Sequence, residues 1–177
     1  MRIISGDYRG RNIRAPKNLP TRPTTDFAKE ALFNVLVHEY NFEQLEFLDL
    51  FSGTGNISYE MASRGCRSIT CIEQNPRCVR FIRDTFKMLD HPSKVIQADV
   101  FRFLKKPSGG YDLIFADPPY HLEKIADLPE LVMQSGMLKP EGLFILEHGG
   151  RDNFEEHPNH REDRVYGQVN FAFFEYI

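Results

Sequence analysis

The run Asp112-Leu113-Ile114-Phe115-Ala116-Asp117-Pro118-Pro119-Tyr120 carries an apolar strand straight into a turn made almost wholly of hydrogen-bond acceptors. Leu-Ile-Phe-Ala has the length and character of a buried parallel strand, and the two prolines fix the backbone while removing two N–H donors. The Asp117 carboxylate and the Pro118 carbonyl can both accept from one amino group, Pro119 completes the rigid turn, and the Tyr120 ring offers a face to a flat base. This set suits chemistry on an exocyclic amine, while the same residues also make an ordinary turn after a strand.

A second group of residues has the marks of a cofactor site. Leu45 to Leu50 is an apolar strand that breaks at Gly53-Thr54-Gly55 into a helix running to about Arg64. Gly53 and Gly55 permit a tight turn and close approach of backbone to a ligand, but Ser58 stands where the pattern G-x-G-x-x-G has its third glycine. Asp49, inside the strand, would oppose a pyrophosphate and favour a cationic amine or sulfonium. Glu73 ends the strand Ser68 to Ile72 where an acid can accept from ribose hydroxyls, or else lies in an exposed loop. Asp99, after Lys94 to Gln97, can accept from an adenine amine with the Val100 N–H donating to the ring, or can cap the next helix. Arg22 and Thr24 stand at the start of an earlier helix and can hold a carboxylate or merely cap it.

These groups need a scaffold, and strands and helices alternate to supply one. Ala28, Ala31, Leu32 and Val35 predict a helix from Thr25 to about His38, capped by Thr24 or Thr25. Asn75-Pro76 opens a helix with Val79, Ile82, Phe86 and Leu89 on its buried face. The strand ending at Asp117 is the fourth, followed by a helix over about 125–134, the turn Lys139-Pro140-Glu141-Gly142 and a fifth strand, Leu143 to Glu147. Arg161–Tyr166 and Asn170–Tyr176, joined around Gly167, predict a closing hairpin, with Arg151 to His160 as a polar loop. The expectation is an α/β, Rossmann-like fold with a seven-stranded, mostly parallel sheet, helices on both faces and the last strand antiparallel.

With 177 residues, 41% of them apolar, the chain is expected to form one unit: a basic hairpin and linker over 1–24 and a main domain over 25–177. Residues 1–22 carry six cations against Asp7 alone, a net +5, which leaves −8 on the rest of a chain whose total is −3. That asymmetry points to a polyanion held at one end or to a solvated basic segment. Within it, Gly6 to Gly10 predicts a hairpin loop that projects Tyr8 and Arg9, flanked by Arg2, Arg11 and Arg14, for stacking on unpaired bases and contact with phosphates. Cys66, Cys71 and Cys78 have no C-x-x-C spacing and read as reduced thiols, and His157 and His160 lack companion ligands for a metal. No apolar run reaches membrane length and the amino terminus has no signal-peptide core, so the expected location is cytoplasmic.

Taken together, the chain resembles the class I S-adenosylmethionine-dependent methyltransferases and, more closely, the RsmD family. The resemblance rests on Arg2-Ile3-Ile4-Ser5-Gly6 with Arg9-Gly10-Arg11, Arg22-Pro23-Thr24, Glu30-Ala31-Leu32-Phe33-Asn34, Asp49 to Gly55, Ser63-Arg64-Gly65, Asp117 to Tyr120 and Tyr166-Gly167. It implies methyl transfer to the exocyclic N2 of a guanine in 16S rRNA, within a small-subunit particle or assembly intermediate, without a metal; the oligomeric state is left open, with a monomer favoured. It also implies cofactor contacts from Ser52, Thr54 and Gln74 beside those named above. An adenine-N6 methyltransferase shares the Asp-Pro-Pro-Tyr turn, and a non-enzymatic RNA-binding protein on the same fold is a further alternative.

Overall fold

A computed structural model describes residues 1–19, 25–106 and 109–176. The elements run α1 (Asp26–Glu39), β1 (Glu46–Leu50), α2 (Asn56–Ser63), β2 (Ser68–Glu73), α3 (Pro76–Met88), β3 (Lys94–Gln97), α4 (Val100–Leu104), β4 (Tyr111–Ala116), α5 (Leu128–Gln134), β5 (Leu138–His148), β6 (His160–Tyr166) and β7 (Val169–Glu175). One seven-stranded sheet has the order β3-β2-β1-β4-β5-β7-β6, and β7 runs antiparallel to both neighbours. The expected topology is therefore present.

Period-2 alternation divides the strands between two cores. Phe47, Ile69, Cys71, Leu113, Phe115, Leu143 and Ile145 face one core, built with α1, α2 and α3, while Leu48, Leu50, Ile72, Ile114, Ala116, Phe144 and Leu146 face the other, built with α4 and α5. Both faces of the central strands are dry, which is why they read as unbroken apolar runs.

Thr25, one of the two expected caps, caps α1 by accepting from the Ala28 N–H. Other boundaries differ from the sequence reading. The segment 125–134 splits into a 3₁₀ turn, Ile125–Asp127, and α5, because Pro129 in the first turn of α5 lacks an N–H. Lys139 to Gly142 is not a turn ahead of the fifth strand but an irregularity inside β5, where pairing with β4 jumps from Tyr111↔Leu138 to Leu113↔Leu143. His157 and His160 lie edge-on to Phe174, and Phe154 is buried beside them, so the polar loop before β6 closes the end of one core.

The amino-terminal segment is an antiparallel ladder with a single bridge, Arg2↔Asn12, and is held to the body by a buried charge cluster. Ile3 and Ile13 join the core of α1 to α3. The Glu60 carboxylate, 0% exposed in α2, accepts from the Ile4 N–H at 2.8 Å and the Ser5 N–H at 3.0 Å. Arg64 Nε donates to the same carboxylate at 2.9 Å, and Lys29 Nζ lies 3.7 Å from it. Lys29, from α1 and 1% exposed, also donates to the Arg2 carbonyl at 2.7 Å and to Asn56 Oδ1 at 2.9 Å. Burial pulls the Lys29 amine below its ordinary value, against the opposing pull of Glu60. Gly6, at φ +82°, completes the fit: a Cβ there would stand 1.7 Å from the Ser63 carbonyl oxygen.

The cluster predicts a large effect for a single change. Glu60→Ala removes the acceptor of two backbone N–H groups and leaves Lys29 buried without its counter-ion, so urea unfolding should show a loss of about 3–5 kcal/mol. Hydrogen exchange at Ile4 and Ser5 should accelerate in the same variant; a loss below about 1 kcal/mol would mean the cluster is solvated and carries little.

Candidate active site at the carboxyl edge of the sheet

The strand order reverses between β1 and β4, where β1 leads outward to β2 and β3 while β4 leads to β5. At such a switch point the loops leaving adjacent strands diverge and open a crevice at the carboxyl edge. The loop after β1 is shaped for close approach: Phe51, Gly53 and Gly55 all have left-handed φ, at 59°, 55° and 81°. At Gly55 a Cβ would sit 2.6 Å from the Tyr59 ring, so glycine is required there for packing as well as for backbone.

The same alternation that sorts the cores sorts the acids. Asp49 follows Phe47, Glu73 follows Cys71, Asp117 follows Phe115 and Glu147 follows Ile145, each two positions beyond a residue facing the α1–α3 side. Parallel register sets Asp49 opposite Cys71 and Phe115, and Phe115 opposite Ile145. Four acids from adjacent strands therefore fall on one face, Glu73, Asp117 and Glu147 at the carboxyl edge and Asp49 one step deeper.

Asp49 is 2% exposed and takes a hydrogen bond from the Ser58 hydroxyl, so the serine in the third-glycine position serves this acid. Burial pushes its carboxyl up to about 7, with the Ser58 bond pulling the other way and the Glu73 charge adding to the rise. Glu73 is buried rather than on an exposed loop; its Oε2 accepts from the Gly53 N–H at 2.9 Å and its Oε1 from the Asn75 N–H at 2.7 Å. Ser52 donates to the Asp49 carbonyl, and Thr54 Oγ1 lies 3.0 Å from Met1 Sδ, so both tie the loop down. Gln74 is exposed at the rim and Val100 is buried. Asp99 caps α4 by accepting from the Arg102 N–H at 2.9 Å. Arg22 and Thr24 lie outside the described residues.

On the other side of the switch point, the Asp117 N–H donates to the Leu50 carbonyl at 3.4 Å, which holds the acceptor turn against the loop after β1. Asp117 is half-buried, Pro118 buried and Pro119 exposed. Tyr120 is 46% exposed; its hydroxyl donates to Glu147 Oε1 at 3.0 Å and its ring passes over Gly149, where a Cβ would stand 3.6 Å from ring Cδ2.

Of the basic group, Arg2, Arg9, Arg11 and Arg14 are exposed, as expected. Tyr8 is a correction: it does not project from the loop. Its hydroxyl donates to the Leu89 carbonyl at 2.9 Å, its ring packs on the core, and the Arg11 guanidinium lies 5.2 Å from the ring centroid. A ring that can reach both an apolar surface and a carbonyl acceptor gains more by docking than by facing water. Sequence reasoning also misses Lys29, Glu60 and Glu147. The last has a visible signal, since each of β2, β4 and β5 is an apolar run that ends in an acid.

The donor set fits a cofactor with a positive charge and a ribose better than one with a pyrophosphate. Asp49, its carboxyl pushed up by burial, gains from a nearby cation, and Glu73 stands at the end of β2 beside the glycine loop. Among the described residues no three His, Cys, Asp or Glu side chains gather as a metal site, and no helix is long and apolar enough to cross a membrane. A sheet of this order with this loop, acids after β2 and β3, and the acceptor turn after β4 define a class I methyltransferase.

Comparison with known proteins gives the family. Residues 1–175 match the family model described as Conserved hypothetical protein 95, and the chain belongs to that family, the RsmD methyltransferases. It is 34% identical over 148 residues to Ribosomal RNA small subunit methyltransferase D of Buchnera aphidicola, covering 83% of this chain and 75% of that one. A solved structure of a hypothetical protein from Thermus thermophilus is 29% identical, with a TM-score of 0.86 over 99% of both chains. The fold is shared as well with the Thermus thermophilus 16S rRNA N2 methyltransferase RsmC, solved with AdoMet and guanosine, at 18% identity and a TM-score of 0.70 over 90% of this chain and 45% of that one.

Asp49 generates a pH-dependent prediction. Its folded value lies above the unfolded one, so the stability it contributes is complete below about pH 4 and is lost as pH rises through about 7. Asp49→Asn should therefore unfold less readily than the parent at pH 8, by on the order of 2–4 kcal/mol, and match it near pH 4. S-adenosylhomocysteine should bind the parent about tenfold more tightly at pH 8 than at pH 6, and the variant weakly at both. A variant that melts lower at pH 8, or a parent with pH-independent affinity, would show that Asp49 is not a desolvated acid awaiting a cation.

Proposed function

We propose that the protein transfers a methyl group from S-adenosylmethionine to the exocyclic N2 of a guanine in small-subunit rRNA. The observation that carries this reading is the pairing of the strand ends at the switch point: the Asp117 N–H on the Leu50 carbonyl, next after the Ala116–Leu50 pair, sets an acceptor-rich turn beside the glycine loop that follows β1. Family membership and the name of the Buchnera relative support rRNA as the substrate. The exposed arginines of a +5 amino terminus support a polyanion partner, held within a small-subunit particle or assembly intermediate in the bacterial cytoplasm.

The bound cofactor supplies an electrophilic methyl and a neutral thioether leaving group. The chain's task is to make the amine nucleophilic, because its lone pair is delocalised into the purine ring. Asp117 and the Pro118 carbonyl would accept from the two amine N–H groups and favour a pyramidal nitrogen with its lone pair free to react, and the proton the nitrogen sheds once the N–C bond replaces the C–S bond would leave by way of the Asp117 carboxylate to solvent. Tyr120, with its ring braced by Gly149 and Glu147, presents a face to the base. Asp49 and Glu73 hold the cofactor's amine and ribose, with Ser52, Thr54, Gln74, Asp99 and Val100 around them. Positioning and fixed electrostatics supply the acceleration.

Two substitutions at Asp117 test the catalytic part. Asp117→Ala leaves an amine N–H unpaired in the site and should slow single-turnover methylation by about 10²–10³, while Asp117→Asn, which keeps an acceptor oxygen, should fall between it and the parent. Both should bind S-adenosylhomocysteine normally. A folded, fully active Ala variant removes Asp117 from the mechanism.

The RNA part is tested by salt. If about four phosphates are neutralised, log affinity for RNA should fall with log salt at a slope near −3, and Arg9→Ala with Arg11→Ala should flatten that slope by about 1.5. Unchanged slope and affinity in the double variant would assign the basic segment to solubility alone.

A further inference from the structure

We infer that Glu147 reads the base: its carboxylate forms the second acceptor of the pocket, beside Asp117, and selects guanine over adenine through the ring N1–H. The inference rests on the guanine-N2 reading above and deepens it. Nothing in the catalytic turn itself distinguishes the two purines, since guanine N2 and adenine N6 are both flat amines with two N–H donors. The position next to the amine does distinguish them. Guanine presents N1–H, a donor; adenine presents N1 as a bare acceptor.

Glu147 stands where that difference is felt. Parallel register pairs Ala116 of β4 with Leu146 of β5, so Asp117 and Glu147 are the next residues along neighbouring strands. Phe115 and Ile145 both face the α1–α3 core, so the two acids emerge on the same face. Adjacent strands lie about 5 Å apart, a spacing close to the width over which a purine's N2 and N1 can each meet an acceptor. Glu147 is 3% exposed, and an acid so buried at the end of a strand demands donors. Among the described residues Tyr120 supplies one through its hydroxyl, at 3.0 Å from Oε1. A carboxylate has about four acceptor positions, so this bond is compatible with a second donor from a ligand. The Tyr120 bond also fixes the carboxylate in place, with the ring held over Gly149, so the stacking face and the reading group are set by one contact.

The chemistry then follows. A guanine with N2 at Asp117 and Pro118 places N1–H toward Glu147, and a charge-assisted hydrogen bond forms. An adenine with N6 in the same place turns an acceptor lone pair toward a carboxylate and is repelled. Glu147 is thus a specificity-determining residue, and its effect falls on base choice rather than on the cofactor.

The test uses RNA in which the target guanine is replaced by 2-aminopurine, which keeps the exocyclic amine but carries no hydrogen on N1. The parent should methylate guanine roughly ten- to a hundredfold faster in single turnover, the discrimination expected of a well-placed base contact. Glu147→Gln, which keeps shape but can turn a donor amide toward N1, should narrow that ratio by about tenfold or more while S-adenosylhomocysteine affinity and melting temperature stay near those of the parent. Tyr120→Phe should slow both substrates and leave more of the ratio intact, because it loosens the carboxylate without neutralising it. A parent that methylates both bases equally overturns the inference whatever the variants do, as does a Glu147→Gln enzyme whose ratio stays within about threefold of the parent's. If the parent instead yields N6-methyladenine, or leaves RNA guanine unmodified, the guanine-N2 reading itself has failed, and that outcome is distinct from either of the others.

Discussion

Parallel register is the constraint on which the rest of this structure depends. Four neighbouring strands each carry an acid two positions past a residue on the α1–α3 face, so Asp49, Glu73, Asp117 and Glu147 share that face, with Asp49, opposite Cys71 and Phe115, one step deeper than the other three. A one-residue slip in any strand would send its acid to the opposite core, where burial without a partner is costly. The apolar runs behind the acids hold the register, with both faces of β1, β4 and β5 packed in dry cores. The acids divide at the switch point: Asp49 and Glu73 lie beside the glycine loop, and Asp117 and Glu147 beside the Asp-Pro-Pro-Tyr turn.

A second constraint ties this edge to the basic amino terminus. Lys29 bonds to the Arg2 carbonyl and also to Asn56, the first residue of α2, which follows the glycine loop directly. Glu60 and Ser63, further along the same helix, take the backbone N–H groups of Ile4, Ser5 and Tyr8. The segment that carries the exposed Arg9 and Arg11 is therefore built on the helix that follows the glycine loop. Removing a buried ion pair's partner is expensive, so the cluster fixes this geometry even though its net worth against an apolar substitute is small.

The parts legible in the sequence are those set by local pattern. Apolar runs of strand length, glycines at the loop after β1, Asp49 inside β1 and the acids Glu73 and Asp117 at strand ends follow from short-range rules, and so does the order of elements. Glu147 obeys the same rule but escapes notice because its loop, Gly149-Gly150, has no recognisable motif beside it. What is hidden entirely depends on contacts distant in sequence. Lys29, Glu60 and Ser63 look like ordinary helix residues until three segments meet, and Tyr8 looks like a loop aromatic until the Leu89 carbonyl, 81 residues away, receives its hydroxyl. The interruption within β5 reads as a turn since Pro140 and Gly142 favour one locally; pairing with β4 on both sides of it makes it part of a strand.

The central claim is that the four acids are divided between cofactor and base, and carboxyl-carbon NMR of labelled Asp and Glu side chains tests it most directly. Saturation with S-adenosylhomocysteine should shift the Asp49 and Glu73 signals and leave those of Asp117 and Glu147 near their free positions; subsequent addition of a guanine-bearing small-subunit RNA fragment should move the latter pair. Cofactor product that shifts Asp117 and Glu147 while Asp49 and Glu73 stay silent would contradict the division and the site assigned to it.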